Sequence, residues 1–250
     1  MKIIVTADDF GLDELTTESI IEFMESGYCT QTSVMVNMSY SDAAVMKIKN
    51  GDMINRVGLH LNLSEGSPLT DRIKSDSDIC GRDGFFRSQF HSGKSAFILS
   101  KQQKELLSDE IEEQMKKYLS YGFTRMSLDS HNHVHTHYSI FRIVKPLLSK
   151  YGFRYIRISR NMGEGLSIIK KVYKSALNSS MSRQAKTTDY FGNVADFQKT
   201  ISKIEMDKTI EIMTHPKRMD NSSAPLYDAD RLMDETYGIL DLYKDEIISQ

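Results

Sequence analysis

A chain of 250 residues with 40% hydrophobic and 26% charged side chains can bury a large core without disulfide or metal staples. Its formal net charge of −2 gives no basic excess, so neither nucleic acid nor a membrane is expected as a partner. Its two cysteines, Cys29 and Cys80, fit neither a zinc knuckle nor a CxxC redox pair, which argues against a disulfide scaffold and for a reducing compartment.

The run from Lys2 to Ala7 reads as a buried strand. Its apolar part is too short for a signal-peptide core, and no apolar stretch is long enough to span a bilayer. A cytoplasmic location is expected. Leu12 to Ser26 has helical periodicity, with Leu15, Ile20, Phe23 and Met24 facing inward. Thr30 to Asn37 is a second strand, Ser41 to Lys49 a helix capped by Ser39 or Ser41, and Arg56 to Leu63 a third strand.

From Ser64 to about Lys101 the rhythm breaks. Gly66, Pro68, Gly81, Gly84 and Gly93 lie among polar residues, as in an active-site loop or lid. Glu105 to Tyr121 is then an amphipathic helix whose charge run, Asp109 to Lys117, reads as a solvated face. Strands follow at Arg125 to Ser130, Arg154 to Ser159, Thr188 to Phe191 and Thr209 to Thr214. Helices follow at Ser139 to Tyr151, Leu166 to Leu177, Ala195 to Ile204 and Asp228 to Tyr243.

Strands alternating with helices predict parallel pairing by right-handed crossovers. About seven such units predict an α/β fold of the barrel kind, one domain over 1–250 with a long loop insertion at about 64–101. In such barrels chemistry sits at the C-terminal ends of the strands.

The polar residues follow that rule. The first strand ends in Asp8-Asp9-Phe10-Gly11, and the third carries His60 near its end. The fourth ends in Asp129 and Ser130, followed by His131-Asn132-His133-Val134-His135-Thr136-His137. The late strand ends in His215-Pro216. Carboxylates and imidazoles converging on one barrel face make a metal site. Asp8 and Asp9 could instead cap a helix or hold a turn, and His60 alone reads as a core histidine. Taken as extended chain, the histidine run places His131, His133, His135 and His137 on one face. Only one or two of them can reach a single ion, because the chain rises by roughly 3 Å per residue.

ADDFG after the first strand, then GLHLNL, DSHNHVH and a late THP, in that order, resemble the YdjC-like carbohydrate deacetylases, which include chitooligosaccharide deacetylases. The resemblance runs from Lys2 to about Pro216. It implies a distorted (β/α) TIM-like barrel related to polysaccharide deacetylases. It implies metal ligation by Asp9, His60 and His131, with Asp8 as general base and His215 as general acid. His133 and His135 would line the site, and Asp129 would orient a neighbouring histidine. The divalent ion implied is Mg²⁺, with Zn²⁺ the alternative that imidazole ligands favour. The implied partner is a small carbohydrate, and the resemblance also suggests a homodimer. Thr6, where the family commonly has Asn, and the loop from Gly66 to Ser100 depart from the pattern, which bears on the substrate.

The implied reaction is hydrolysis of the N-acetyl group of an amino sugar or small oligosaccharide. Other metal-dependent barrel hydrolases, such as phosphoesterases and amidohydrolases, often carry an HxH pair on the first strand, where this chain has Asp-Asp. A non-catalytic sugar binder would have no need of both Asp8 and His215. Phe85, Phe86 and Phe90 in the loop are expected either to stack on sugar rings or to close a small core.

Overall fold

Alternation in the first run puts Ile3, Val5 and Ala7 on one face and Ile4, Thr6 and Asp8 on the other. The first face meets helices and the second meets the inside of a curled sheet. The computed structural model describes residues 1–88, 98–163, 167–219, 225–228 and 231–248.

The curled sheet contains β1 (Lys2–Phe10), β2 (Gln31–Val34), β3 (Val57–Leu61), β4 (Ser127–Ser130), β5 (Tyr155–Ile156), β6 (Tyr190–Asn193) and β7 (Thr209–Thr214). All seven are parallel, in the order β5-β4-β3-β2-β1-β7-β6. Strands β5 and β6 are consecutive in the chain yet lie at opposite ends of that order, so the sheet curls into a barrel with a seam between them. Among the described residues an isolated bridge, Tyr155 to Lys186, spans the seam at its lower end, and Asn161 and Met162 donate to the Phe191 carbonyl above it. The expected α/β barrel of about seven strands is therefore present in an incompletely closed form.

Around the sheet lie α1 (Glu14–Glu25), α2 (Ser41–Ile48), α3 (Lys101–Ser120), α4 (Tyr138–Tyr151), α5 (Ile168–Ser182), α6 (Val194–Thr200) and α7 (Met233–Asp241). The main core lies between sheet and helices. Ile3, Val5, Leu59, Ile210 and Ile212 pack there with Phe23, Ile111, Val144 and Phe197. Each such side chain stabilises the fold by roughly 1.5–3 kcal/mol on burial. Inside the barrel the apolar set is small, Ile4 with the cluster of Ile158, Phe191 and Met213, and polar residues fill much of the rest.

Several boundaries differ from expectation for local reasons. Helix α3 starts at Lys101, because Ser100 and Gln103 form a reciprocal capping box ahead of the expected Glu105. The N-cap of α2 is Tyr40, and the Ser41 hydroxyl turns back to the carbonyls of Val36 and Met38. The expected helix from Asp228 is cut short. Asp228 accepts from His215 N at 2.8 Å and pairs with Pro216, which draws its segment into a second, antiparallel sheet. That sheet is β8 (Pro216–Arg218), β9 (Leu226–Asp228) and β10 (Arg231–Leu232). Strand β5 spans two residues of the expected six, as an edge strand at the seam.

The charge run on α3 is not wholly solvated. Glu110 and Gln114 are completely buried. Glu110 accepts from Leu69 N (3.0 Å), Thr70 N (2.8 Å), Thr70 Oγ1 (2.8 Å) and Gln114 Nε2 (2.9 Å), so one carboxylate ties the loop after β3 to α3. In that loop Phe86 joins the main core while Phe85 is half exposed. Phe90, His91 and Gly93 lie outside the described residues. Cys29 and Cys80 are both free and buried.

Glu110→Ala strands several donors at once and should destabilise the protein by at least about 3 kcal/mol, with Glu110→Gln closer to wild type. Urea unfolding of both variants checks this. A loss below about 1 kcal/mol for the alanine variant would mean that water replaces the carboxylate.

Candidate active site

Adjacent residues on a regular strand point to opposite faces. Asp8 and Asp9 escape this because the β1–β2 register slips between Ala7 and Phe10, and Asp9 has φ 73°. The bulge turns Asp9 toward the mouth of the barrel while Asp8 stays on its inner wall. A left-handed conformation at a non-glycine residue costs on the order of 1 kcal/mol, and such strain collects at functional sites.

Register then supplies the partners. His60 on β3 is the pairing partner of Asp129 on β4, and its Nδ1–H donates to Asp129 Oδ1 at 2.8 Å. His60 Nε2 thereby faces Asp9 Oδ1 at 3.1 Å, and His131 Nδ1 lies 2.7 Å from the same oxygen. Asp9, His60 and His131 each offer a ligand atom within 4.8 Å of the others. Neighbouring ligands of one ion, each at about 2.1 Å, stand about 3 Å apart, so these spacings fit a shared divalent cation. Two imidazoles and one carboxylate suit several divalent ions. In the metal-free protein these groups interact strongly. Burial opposes charge on His60, yet Asp129 and Asp9 push it up to about 10. Burial likewise opposes the anion at Asp9, while His131 and His60 hold its carboxyl well below the usual range.

Asp8, His60 and Asp129 also converge. A guanidinium already serves the two carboxylates of that group. Arg157 reaches Asp8 with two bonds (2.6 and 2.8 Å), Asp129 Oδ2 at 2.8 Å and Glu211 Oε1 at 2.9 Å. Of these two clusters among the described residues, the Asp9 group is the one left for an ion.

A family model described as YdjC-like protein matches residues 2–240. The chain belongs to the YdjC-like family. A protein from Clostridium beijerinckii named carbohydrate deacetylase is 30% identical over 224 residues, 88% of this chain and 83% of that protein. Another of that name from Halalkalibacterium halodurans is 30% identical over 223 residues, 88% of this chain and 86% of its own. A crystal structure from Enterococcus faecalis, described as that of a candidate cellobiose-phosphate cleavage protein, superposes with a TM-score of 0.72 at 21% identity. That match covers all of this chain and 96% of the other, and it shows the shared fold.

In this YdjC-like protein the histidine run is not extended, which corrects the expectation of a single shared face. Residues His131–Thr136 form a 3-10 turn, with Asn132 and His133 at φ 52° and 55°. The turn sends its imidazoles in different directions. His131 goes to Asp9. His133 packs edge-on to Phe191, and its buried Nδ1 has no hydrogen-bond partner among the described residues. His135 is completely buried, donating from Nε2 to the Arg157 carbonyl at 2.9 Å and accepting from Ser130 at Nδ1. It supports Arg157 from behind and does not reach the cleft. His137 is the N-cap residue of α4.

His215 Nε2 stands 3.9 Å from Asp8 Oδ2, and its side chain is 41% exposed. A cavity of about 470 Å³ opens beside it, lined by Asn193, Met213, Asp228, Arg231 and Glu235 among others.

Sequence reading named neither Arg157 nor Glu211, nor Ser33, which donates to Asp129 Oδ2 at 3.0 Å. A signal was there: RYIRIS has Arg157 inside a strand expected to be buried, beyond Arg154 at its start, and TIEIMT has Glu211, of opposite charge, inside another. Glu65, 3.0 Å from His131 Nε2, was also missed.

Burial holds the His135 imidazole at about 4, below its ordinary 6.5, and pushes His133 down as well. Above pH 6.5 the neutral rings cost nothing. Between pH 6.5 and 4 the unfolded chain takes up protons that folded His135 refuses, so stability is lost as pH falls. His135 alone should account for roughly 2–3 kcal/mol by pH 4.5. Urea unfolding against pH should show a shallower decline in His135→Gln than in wild type. Parallel profiles would show that His135 does not titrate this way.

Proposed function

We propose that this protein hydrolyses the N-acetyl group of an amino sugar or small chitooligosaccharide-like substrate with a divalent metal ion. One observation carries the reading: the bulge at Asp9 divides the Asp8-Asp9 pair between two jobs. Asp9 joins the imidazole cluster, while Asp8 is held by Arg157 and faces His215. The naming of relatives that share most of this chain's length supports the same reaction.

The ion, held by Asp9, His60 and His131, would polarise the acetyl carbonyl and make water more acidic when bound. Asp8 takes a proton from the attacking water as general base. Its two bonds from Arg157 fix the direction from which it does so. His215, beside Asp8 and open to solvent, gives a proton to the departing amine nitrogen, without which an amide does not cleave readily. Asp129 fixes His60 with Nε2 toward Asp9.

Mg²⁺ is the ion implied by the family resemblance, and two imidazoles favour Zn²⁺ chemically. The expected setting is the cytoplasm, with a small imported oligosaccharide as substrate. Among the described residues no helix is long and apolar enough to cross a membrane. Exposed Ile168, Ile169 and Val172 on α5 support the expected self-association into a homodimer.

The test is acetate release from a panel of N-acetylated sugars, using chelated protein reloaded with Mg²⁺, Zn²⁺, Co²⁺ or Mn²⁺. Chelation should abolish release, and one ion should restore it best. Asp8→Asn should lower kcat/KM by roughly 10²–10⁴-fold while still binding one equivalent of metal, and Asp9→Ala should lose the metal. Metal-independent release, or none from any acetylated sugar with any ion, would overturn the reading. His215→Ala should slow amide substrates far more than activated acetyl esters, whose leaving groups need no proton. Equal slowing of both would remove His215 from the acid role.

A further inference from the structure

The two imidazoles beside Asp9 are wired alike. His60 turns Nε2 to Asp9 and Nδ1 to Asp129. His131 turns Nδ1 to Asp9 Oδ1 at 2.7 Å, and its Nε2 lies 3.0 Å from Glu65 Oε2. Each ring is thus stretched between Asp9 and a second carboxylate. For His60 the second carboxylate is buried. For His131 it belongs to Glu65, whose side chain is 50% exposed. An ion pair that open is ordinarily worth little, because a glutamate on a free loop samples many rotamers.

The loop carrying Glu65 is not free. Glu65 N donates to Asn62 Oδ1 at 3.1 Å, and Glu65 O accepts from Asn62 Nδ2 at 2.7 Å and Asn37 Nδ2 at 3.1 Å. Asn62 is fully buried, and Gln114 of α3 holds both its N–H (3.0 Å) and its carbonyl (2.6 Å). Gly66 follows at φ +70°, where a Cβ would also come within 2.6 Å of Met38 Sδ. On the other side, Ser64 Oγ accepts from Asn132 Nδ2 at 3.1 Å, which links the loop to the turn that carries His131. The buried amides of Asn37, Asn62 and Gln114 therefore fix the backbone of a residue whose own side chain fills no core.

We propose that Glu65 is the positioning residue of His131: its carboxylate accepts the Nε2–H, which leaves Nδ1 unprotonated and aims the ring at the position shared by Asp9 and His60. This rests on the metal site proposed above. It makes the loop after β3 part of that site through its backbone clamp. Glu65 contacts the nitrogen on the far side of the ring from Asp9, so it acts through His131 and is not itself a ligand. Carboxylates in this position orient metal-binding histidines and raise their basicity, and losing one weakens metal binding by about 10–100-fold.

Calorimetric titration of Zn²⁺ into chelated wild type, Glu65→Gln, Glu65→Ala and His131→Ala, with visible spectra of the Co²⁺ forms, tests the assignment. Glu65→Ala should bind about 10–100-fold more weakly at unchanged stoichiometry. Glu65→Gln keeps an acceptor oxygen and should recover most of the affinity, with the wild-type Co²⁺ spectrum at saturation. Wild-type affinity in Glu65→Ala would overturn the proposal and leave Glu65 a surface group. A Glu65→Gln variant as weak as Glu65→Ala, with an altered Co²⁺ spectrum, would overturn it by making Glu65 a direct ligand. His131→Ala separates the two readings: if it binds Zn²⁺ like wild type, the metal site itself is wrong. If it loses the site while Glu65→Ala keeps it, only the role of Glu65 fails.

Discussion

A guanidinium buried inside the barrel can stay charged only if carboxylates surround it, and Arg157 has three: Asp8, Asp129 and Glu211. The dependence is mutual. Without Arg157 the interior would hold three anions within reach of one another, and breaking a buried pair from one side costs roughly 3–5 kcal/mol. Exchange of the whole set for aliphatic residues could give an equally stable barrel, so stability does not explain its presence. Its effect is orientation. Asp8 is pinned with two bonds, and Asp129 is pinned so that its other oxygen fixes His60. Arg157 thereby sets both the carboxylate assigned to the water proton and one of the imidazoles assigned to the metal.

The same logic runs outward from the barrel axis. Asp129 orients His60, His60 and His131 meet at Asp9, and His131 meets Glu65 at the rim. Carboxylate and cationic or proton-donating groups alternate along this path, so no charge lacks a complement. The path starts at a buried carboxylate and ends where a side chain is half open to solvent. Rigidity at the buried end comes from packing and ion pairs. At the open end it comes from amide hydrogen bonds to the loop backbone, because no core is available there to hold a glutamate still.

Much of this was legible in the residues. Strand and helix alternation gave the barrel, and the rule that chemistry sits at strand ends brought Asp8, Asp9, His60, His131 and His215 to one mouth. Those signals are periodic or positional, and a sequence displays both directly. What stayed hidden depends on single dihedrals. Positive φ at Asp9, Asn132 and His133 reorients side chains that regular strand geometry would place otherwise. Only the tolerance of Asp and Asn for that region hints at it. Arg157 is hidden for a different reason: it lies inside a strand rather than at its end, and a charge buried there shows itself only through its demand for partners of opposite sign.

Glu110 shows how a charge pattern can conceal a tether. On α3 it follows Leu107 by three residues and precedes Ile111, so helical spacing puts it on the edge of the apolar stripe. Read within a run of charges it passes for solvated. Read by position it must be buried, and a buried carboxylate must find donors. The donors it finds are the amides of Leu69 and Thr70, while Gln114, one turn on, takes both backbone groups of Asn62. One helix face thus grips the loop after β3 at two points, on either side of Glu65. A helix remote from the barrel axis therefore constrains a side chain at the rim of the site. A loop without regular structure can hold a defined geometry because its backbone bonds are made to buried side chains rather than to a neighbouring strand.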